Sequence, residues 1–196
     1  QIGQRRYAFN WNRDKFPEPL ATMKRLNKAG MHTVANLKPC LLDDHPRLKE
    51  ALDQGFLVKD AKTGEPAVAQ FWDGLGFHID YTNPKGRAWW RAGIESALLD
   101  HGFTTVWNDN NEYEIWDEDA VCDGDGRPFR QALARPAQPL LMTKLSYETQ
   151  AAREPGKRQY SITRGGCAGI SRYAQTWSGD NETAWKTLRY NLTQGL

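Results

Sequence analysis

The chain has 196 residues, of which 39% are hydrophobic and 26% charged, and its formal net charge is +2. This balance is typical of a globular domain with a sizeable core and excludes a disordered chain. No apolar run approaches the roughly 20 residues that a membrane span needs, and the basic residues are scattered rather than clustered. We therefore expect neither a membrane nor a nucleic acid as a partner.

Three cysteines, Cys40, Cys122 and Cys167, lie far apart and form no CxxC pair. The odd number argues against a disulfide framework and favours a reducing compartment such as the cytoplasm. The sequence begins without an initiator methionine, a signal peptide or another targeting segment. We therefore expect residues 1–196 to be one domain within a longer protein.

Helical and strand-like runs alternate along the chain, which is the pattern of a parallel α/β sheet or barrel. The first part of the sequence predicts a helix from Leu20 to a stop at Gly30, a strand at 33–37, and a short helix at 44–53. Residues 70–72 and 77–80 are predicted to flank a glycine-rich loop. Asn83 and Pro84 open the clearest helix, in which Trp90, Ile94, Ala97 and Leu98 share one side.

The second part of the sequence repeats this alternation. A strand at 103–106 precedes a long excursion at 113–136, and a helix is predicted at 140–152. Strands at 158–163 and 174–177 follow. The last helix, at 182–192, is predicted to turn Trp185, Leu188 and Leu192 inward. About five strands alternate with helices, so the pattern favours part of an eight-stranded (β/α)8 barrel, with a complete open sheet as the alternative.

Two carboxylates follow predicted strands. Asp109 lies in WNDNNE at residues 107–112, and Asp180 lies in TWSGDN at 176–181. Residues at strand ends are where α/β barrels keep their chemistry, and a pair of carboxylates is what glycoside hydrolysis needs. Asp109 is the predicted nucleophile, ionised by hydrogen bonds from Asn108, Asn110 and Asn111 and by nearby cations. The alternative for each Asp is an ordinary turn or helix N-cap residue.

Asp180 is the predicted acid/base, kept protonated by its negative neighbour and by a partly desolvated pocket with Trp177 as an apolar wall. Arg164 ends a predicted strand and could hold a sugar hydroxyl or a carboxylate, or pair with a structural acid. Glu112 is expected either to contact a residue that itself touches the substrate, or to be an acidic residue at a helix N-terminus. The spacing of histidines and acidic residues predicts no metal site.

Aromatic side chains are abundant, with eight Trp, seven Tyr and seven Phe. Most are expected in the core, but flat rings also pack against sugars. Trp107, Trp72 and Lys38 are further predicted substrate contacts, and Asn111 is predicted to support the site beside Glu112.

Several ordered motifs resemble the catalytic barrel of glycoside hydrolase family 31, the retaining α-glycosidases, almost from end to end. YAFNWN at residues 7–12 with FPEP at 16–19 is similar to the segment before the family's first barrel helix. DYTNP at 80–84 with two tryptophans at 89–90 is similar to the segment before its third helix. WNDNNE resembles the nucleophile motif on its fourth strand, and WSGD at 177–180 resembles its acid/base motif after the sixth.

The resemblance implies a (β/α)8 barrel covered roughly from the first helix to the sixth, with further strands and an accessory β domain outside this chain. It implies that Asp109 forms a glycosyl-enzyme and that Asp180 protonates the leaving oxygen. Arg164 and Trp177 would contact the bound sugar, and no cofactor is implied. Two positions depart from the family's pattern: Asn110 stands where Met is usual, and Lys38 where many members carry a polar or acidic sugar contact.

The expected function is an exo-acting, α-glucosidase-like hydrolase whose substrate partner is an α-glycoside. An α-xylosidase, an α-galactosidase and a transglycosylase of the same family remain open alternatives. A non-catalytic carbohydrate-binding protein is the alternative outside enzymes, and a homo-oligomer is possible.

Overall fold

The structure is a computed structural model that describes the backbone of residues 5–195 and the side chains of residues 5–193. The described chain contains five α-helices: α1 (Pro19–Lys28), α2 (Leu48–Gln54), α3 (Pro84–Gly93), α4 (Ala137–Arg153) and α5 (Trp185–Gly195). Its strands are β1 (Val34–Leu37), β2 (Cys40–Leu42), β3 (Val68–Phe71), β4 (Gly74–His78), β5 (Thr105–Asn108), β6 (Val121–Cys122), β7 (Phe129–Arg130), β8 (Ser161–Thr163) and β9 (Gln175–Thr176).

A four-stranded parallel sheet, in the order β1-β5-β8-β9, forms the centre of the fold. Its register aligns the carboxyl ends of the strands, because Leu37 pairs with Asn108, Asn108 with Thr163, and Thr163 with Thr176. Parallel strands need crossover connections, and helices of the chain supply them. Strands joined in this way match the α/β architecture that the sequence predicts.

Helix α3 forms where the sequence predicts it. The side chain of Asn83 accepts a hydrogen bond from the amide of Lys85 at 2.9 Å, and Pro84 occupies the first turn. A π-helical turn, Ile94–Leu98, continues the helix. The predicted apolar side is buried and joins the strands and α4 in one core, whose members include Trp90, Ile94, Leu98, Val106, Met142 and Leu145.

A second, antiparallel sheet, in the order β2-β4-β3, lies outside the parallel one. The prediction of a glycine-rich loop between residues 72 and 77 is therefore wrong, since most of this segment is strand β4. Gly76 permits the pairing: a Cβ atom there would lie 2.5 Å from the carbonyl oxygen of Leu41 on β2. Because β4 pairs only within this sheet, the described chain has four parallel strands rather than about five.

The long excursion between β5 and α4 is anchored on a buried carboxylate. Asp80 accepts hydrogen bonds from the amide of Asp123 at 2.6 Å and from the side chain of Gln138 at 2.8 Å. It also accepts from both the amide and the hydroxyl of Thr82. The excursion carries β6 and β7 and is thereby fixed against the start of α3.

The side of α5 that the sequence predicts to be inward is exposed. Trp185 is 87% exposed, and Leu188 and Leu192 are 51% and 60% exposed. Apolar residues at helical spacing define a face, but the face is buried only where another element packs on it. In the described chain these three side chains face solvent. No helix of the described residues is both long and apolar enough to cross a membrane.

Candidate active site

Four predicted site residues stand in a row at the carboxyl edge of the parallel sheet. The aligned strand ends are followed directly by Lys38 after β1, Asp109 after β5, Arg164 after β8 and Trp177 after β9. Since each strand ends at the same level, the four residues enter the same region. This edge is the one at which α/β barrels place their chemistry.

Asp109 is largely buried, with 11% of its side chain exposed. Its Oδ2 accepts hydrogen bonds from Lys38 Nζ at 2.5 Å and from Asn36 Nδ2 at 3.1 Å. Burial acts to raise the pKa of this carboxyl, but these hydrogen bonds and the charges of Lys38 and Arg164 outweigh it, so the pKa lies below its ordinary value. Asp109 is therefore an ionised carboxylate at neutral pH.

Arg164 lies between three acidic side chains. Its Nε and Nη2 donate to the two oxygens of Glu112 at 2.5 and 3.1 Å, a bidentate pair. Its Nε lies 3.7 Å from Asp109 Oδ1, and its Nη1 lies 3.9 Å from Asp180 Oδ2. The predicted alternative, a salt bridge from Arg164 to a structural acid, is therefore present. Arg164 also lies beside both predicted catalytic carboxylates.

Asp109 and Asp180 face the same guanidinium group. Nε and Nη1 of one guanidinium are about 2.3 Å apart, so Asp109 Oδ1 and Asp180 Oδ2 are at most about 10 Å apart. The side chain of Asp180 is 91% exposed, so the expectation of a partly desolvated pocket around it is wrong. It follows the short edge strand β9, where no described element covers the carboxyl.

The asparagines around Asp109 do not donate to it, contrary to the prediction. Asn108 donates to the carbonyl of Ile162 and accepts from Ser146, so its side chain is bound to β8 and α4. Asn110 accepts a hydrogen bond from Lys38. Direct neighbours of a strand-end residue point in other directions than its own side chain, so sequence adjacency is a poor guide to contact.

Asn111 has the supporting role that the sequence predicts. Its side chain is fully buried, donates to Thr163 Oγ1 at 3.0 Å and accepts from the amide of Gly165 at 2.7 Å. These two bonds tie the segment after β5 to the end of β8. They fix the distance between the loop that carries Asp109 and the loop that carries Arg164.

The predicted aromatic contacts are divided between two places. The rings of Trp107 and Trp177 meet edge to face, with centroids 5.2 Å apart, at the ends of β5 and β9. Trp72 lies in the turn between β3 and β4 and is 77% exposed. It lines a cleft of about 420 Å³ together with Lys38, Glu112 and Arg164. Trp72 therefore lies in the same cleft as residues from the carboxyl edge of the parallel sheet.

Two contributors to the site were not predicted. Asn36 lies on β1, two residues before Lys38, and continuing the period-two alternation of the strand would have placed both side chains on one face. Arg6 donates from its amide, Nε and Nη2 to the carboxylate of Asp73 at 2.8 to 2.9 Å, which anchors the turn that carries Trp72. No sequence pattern indicated the Arg6–Asp73 ion pair, because the two residues are 67 positions apart.

In the part of the chain that the structure describes, no three His, Cys, Asp or Glu side chains are arranged to hold a metal ion. The three cysteines have no disulfide partner.

The fold and this edge define an α/β barrel segment with acidic and basic side chains at its strand ends. A family model described as the glycosyl hydrolases family 31 TIM-barrel domain matches residues 2–196. The chain belongs to this family, and the predicted family and the predicted barrel, of which it covers part, are confirmed.

Relatives and solved structures agree with this assignment. The chain is 28% identical over 193 residues to alpha-glucosidase 2 of Bacillus thermoamyloliquefaciens, covering 94% of this chain and 24% of the relative. It is 28% identical over 182 residues to the sulfoquinovosidase of Escherichia coli, covering 91% and 26%. A family 31 dextranase of Flavobacterium johnsoniae in complex with glucose superposes with a TM-score of 0.83 at 24% identity, covering 94% of this chain and 24% of that one. The chain thus spans about a quarter of the length of these proteins.

Proposed function

We propose that this chain carries the reacting carboxylates of a retaining, exo-acting α-glycoside hydrolase of the α-glucosidase type. The observation that carries the proposal is the strand-end row of Lys38, Asp109 and Arg164, with Asp180 on the far side of the arginine. The ionised, largely buried Asp109 suits the role of nucleophile, and Asp180, beside the same guanidinium, is the second carboxylate that a retaining glycosidase needs.

In the first step, Asp109 attacks the anomeric carbon of the sugar as the bond to the leaving oxygen breaks. The leaving oxygen takes the electron pair of that bond and a proton from Asp180. The product of this step is a glycosyl ester of Asp109. Arg164 lies within 4 Å of both carboxylates and lowers the electrostatic repulsion between them.

In the second step, water attacks the anomeric carbon from the side that the leaving group vacated. Asp180 accepts the proton of that water, and Asp109 leaves as a carboxylate. Two displacements at the same carbon return the sugar to its α configuration. Trp72, on the wall of the cleft, packs against the leaving portion of the substrate, and Trp107 and Trp177 border the bound sugar.

We further propose that residues 1–196 function within a longer polypeptide. In the described sheet, β1 and β9 are each paired on one side, whereas a barrel needs eight strands closed on themselves. The remaining strands and an accessory β domain would complete the pocket that selects the sugar. The α-xyloside, α-galactoside and transfer reactions are alternatives, separable by a screen of aryl α-glycosides with and without an excess of acceptor sugar.

The test uses the longest natural polypeptide that contains this chain, with an aryl α-glucoside as substrate. Asp109→Ala is expected to lower kcat by about 10³-fold or more, since it removes the nucleophile. Asp180→Ala is expected to lower turnover of poor leaving groups by about 10² to 10⁴-fold. Asp53→Ala, an exposed carboxylate on α2, is the matched control. Near-normal turnover by Asp109→Ala, or a first product of β configuration, would contradict the proposal.

A further inference from the structure

The two oxygens of the Asp109 carboxylate have different surroundings. Oδ2 accepts the hydrogen bonds from Lys38 and Asn36, at 2.5 and 3.1 Å. Oδ1 accepts none from the described residues and faces the Arg164 side, with Nε 3.7 Å away. One oxygen is therefore held by two donors, and the other is turned toward the guanidinium that also faces Asp180.

Lys38 is itself fixed in place. Its ammonium also donates to the side-chain oxygen of Asn110, the residue after Asp109. Asn110 adopts a left-handed backbone conformation, with φ at 51°, which asparagine tolerates better than most residues. Only 17% of the Lys38 side chain is exposed, so water screens its charge incompletely. The ammonium thus lies between the side-chain oxygens of two consecutive residues.

The other cations near Asp109 are bound to other acids. Arg164 makes its bidentate pair with Glu112, and Arg6, whose charge also acts on Asp109, is bonded to Asp73. Neither donates a hydrogen bond to Asp109 in the described structure. Among the described residues, Lys38 is therefore the cation that donates a hydrogen bond to this carboxylate, whereas Arg164 forms only the longer ion pair at 3.7 Å.

We propose that Lys38 is a positioning residue that holds Asp109 ionised through Oδ2, so that Oδ1 is the atom that attacks the anomeric carbon. This inference rests on the proposed function. The lone pair of Oδ1 forms the bond to carbon while the leaving oxygen takes its electron pair and the proton of Asp180. Lys38 keeps its proton throughout and donates to Oδ2, first as a carboxylate oxygen and then as the carbonyl oxygen of the ester.

The test is the pH profile of kcat/KM for an aryl α-glycoside that the natural protein hydrolyses. Lys38→Met keeps the length of the side chain and removes its charge, so the acid limb is expected to move to higher pH. At about pH 4 to 5 kcat/KM should fall by about 10- to 100-fold, as expected for a lost charge-assisted hydrogen bond. Lys38→Arg should return the limb toward its original position. Lys49→Met, an exposed lysine paired with Asp53 on α2, is the matched control with an unchanged profile.

A second variant separates positioning from general structural support. Asn110→Ala should move the acid limb in the same direction but less far, and it should have no further effect in the Lys38→Met background, because its contact acts through the lysine. This arm also tests the inference if Lys38→Met does not fold. An unmoved acid limb with an equal loss at every pH, or additive effects of the two changes, would overturn it. If Asp109→Ala were active, the proposed function itself would fail instead.

Discussion

The buried side chain of Asn111 gives the sharpest prediction about how the site is held together. It is fully buried and bonds Thr163 Oγ1 and the amide of Gly165, so it joins the ends of two neighbouring barrel strands. Asn111→Ala removes two hydrogen bonds and leaves two buried partners with one contact fewer. At about 1 kcal/mol for each bond, plus the cost of a buried donor left unpaired, the local loss is about 2 to 4 kcal/mol.

Hydrogen–deuterium exchange of the longest natural polypeptide measures this loss at the amide itself. A local loss of 2 kcal/mol should speed exchange of the Gly165 amide by about 30-fold. Asn111→Asp keeps an oxygen that can accept from this amide, so protection there should largely survive, although the donor to Thr163 is lost. Asn181→Ala, at an exposed asparagine, is the control. Unchanged exchange at Gly165 in Asn111→Ala would refute the reasoning.

Three further changes test the core, the second sheet and the charged cluster. Trp90→Ala, at a fully buried ring, should cost about 3 to 5 kcal/mol and lower the thermal midpoint; a shift within error would contradict the core assignment. Gly76→Ala should separate β2 from β4, because the new Cβ would lie 2.5 Å from the carbonyl oxygen of Leu41, and faster amide exchange in β2 is the readout. Gly166→Ala is the comparison, since the added atom there makes only an ordinary 3.5 Å contact with Thr176. Folding lowers the pKa of Asp109, so its ionised carboxylate stabilises the fold at pH values above the ordinary pKa of about 4. This stabilisation is lost as the pH falls through the lowered pKa. The thermal midpoints of wild type and Asp109→Asn should therefore converge at low pH.

The positions of the barrel strands that carry the site could be predicted from the sequence, because short strand-like runs alternate with helical ones and each run ends at a polar or aromatic residue. Asp109, Arg164 and Trp177 were found in this way, and the parallel register then brings them together. The partners of Asp109 could not be predicted from its sequence neighbours. Its donors, Asn36 on β1 and Lys38 just after it, are more than 70 residues away, and their contact with Asp109 depends on which strands pair.

Two failures of prediction have a common physical cause. Glycines at 74 and 76 suggested a loop, but Gly76 serves the close approach of β2, a tertiary contact that no local pattern encodes. The apolar side of α5, with Trp185 at its start, suggested burial, but burial depends on what packs against the helix. In both cases the missing information is which other element of the fold lies against the segment.

The central claim is that Asp109 becomes covalently bonded to the sugar. The most direct measurement is to trap this ester with a fluorinated glycosyl fluoride, which slows hydrolysis of the intermediate, and to map the modified peptide by mass spectrometry in the longest natural polypeptide. The account predicts one sugar per polypeptide, attached to Asp109, and no label in Asp109→Ala. A label on another residue, or rapid inactivation of Asp109→Ala by the same reagent, would contradict it.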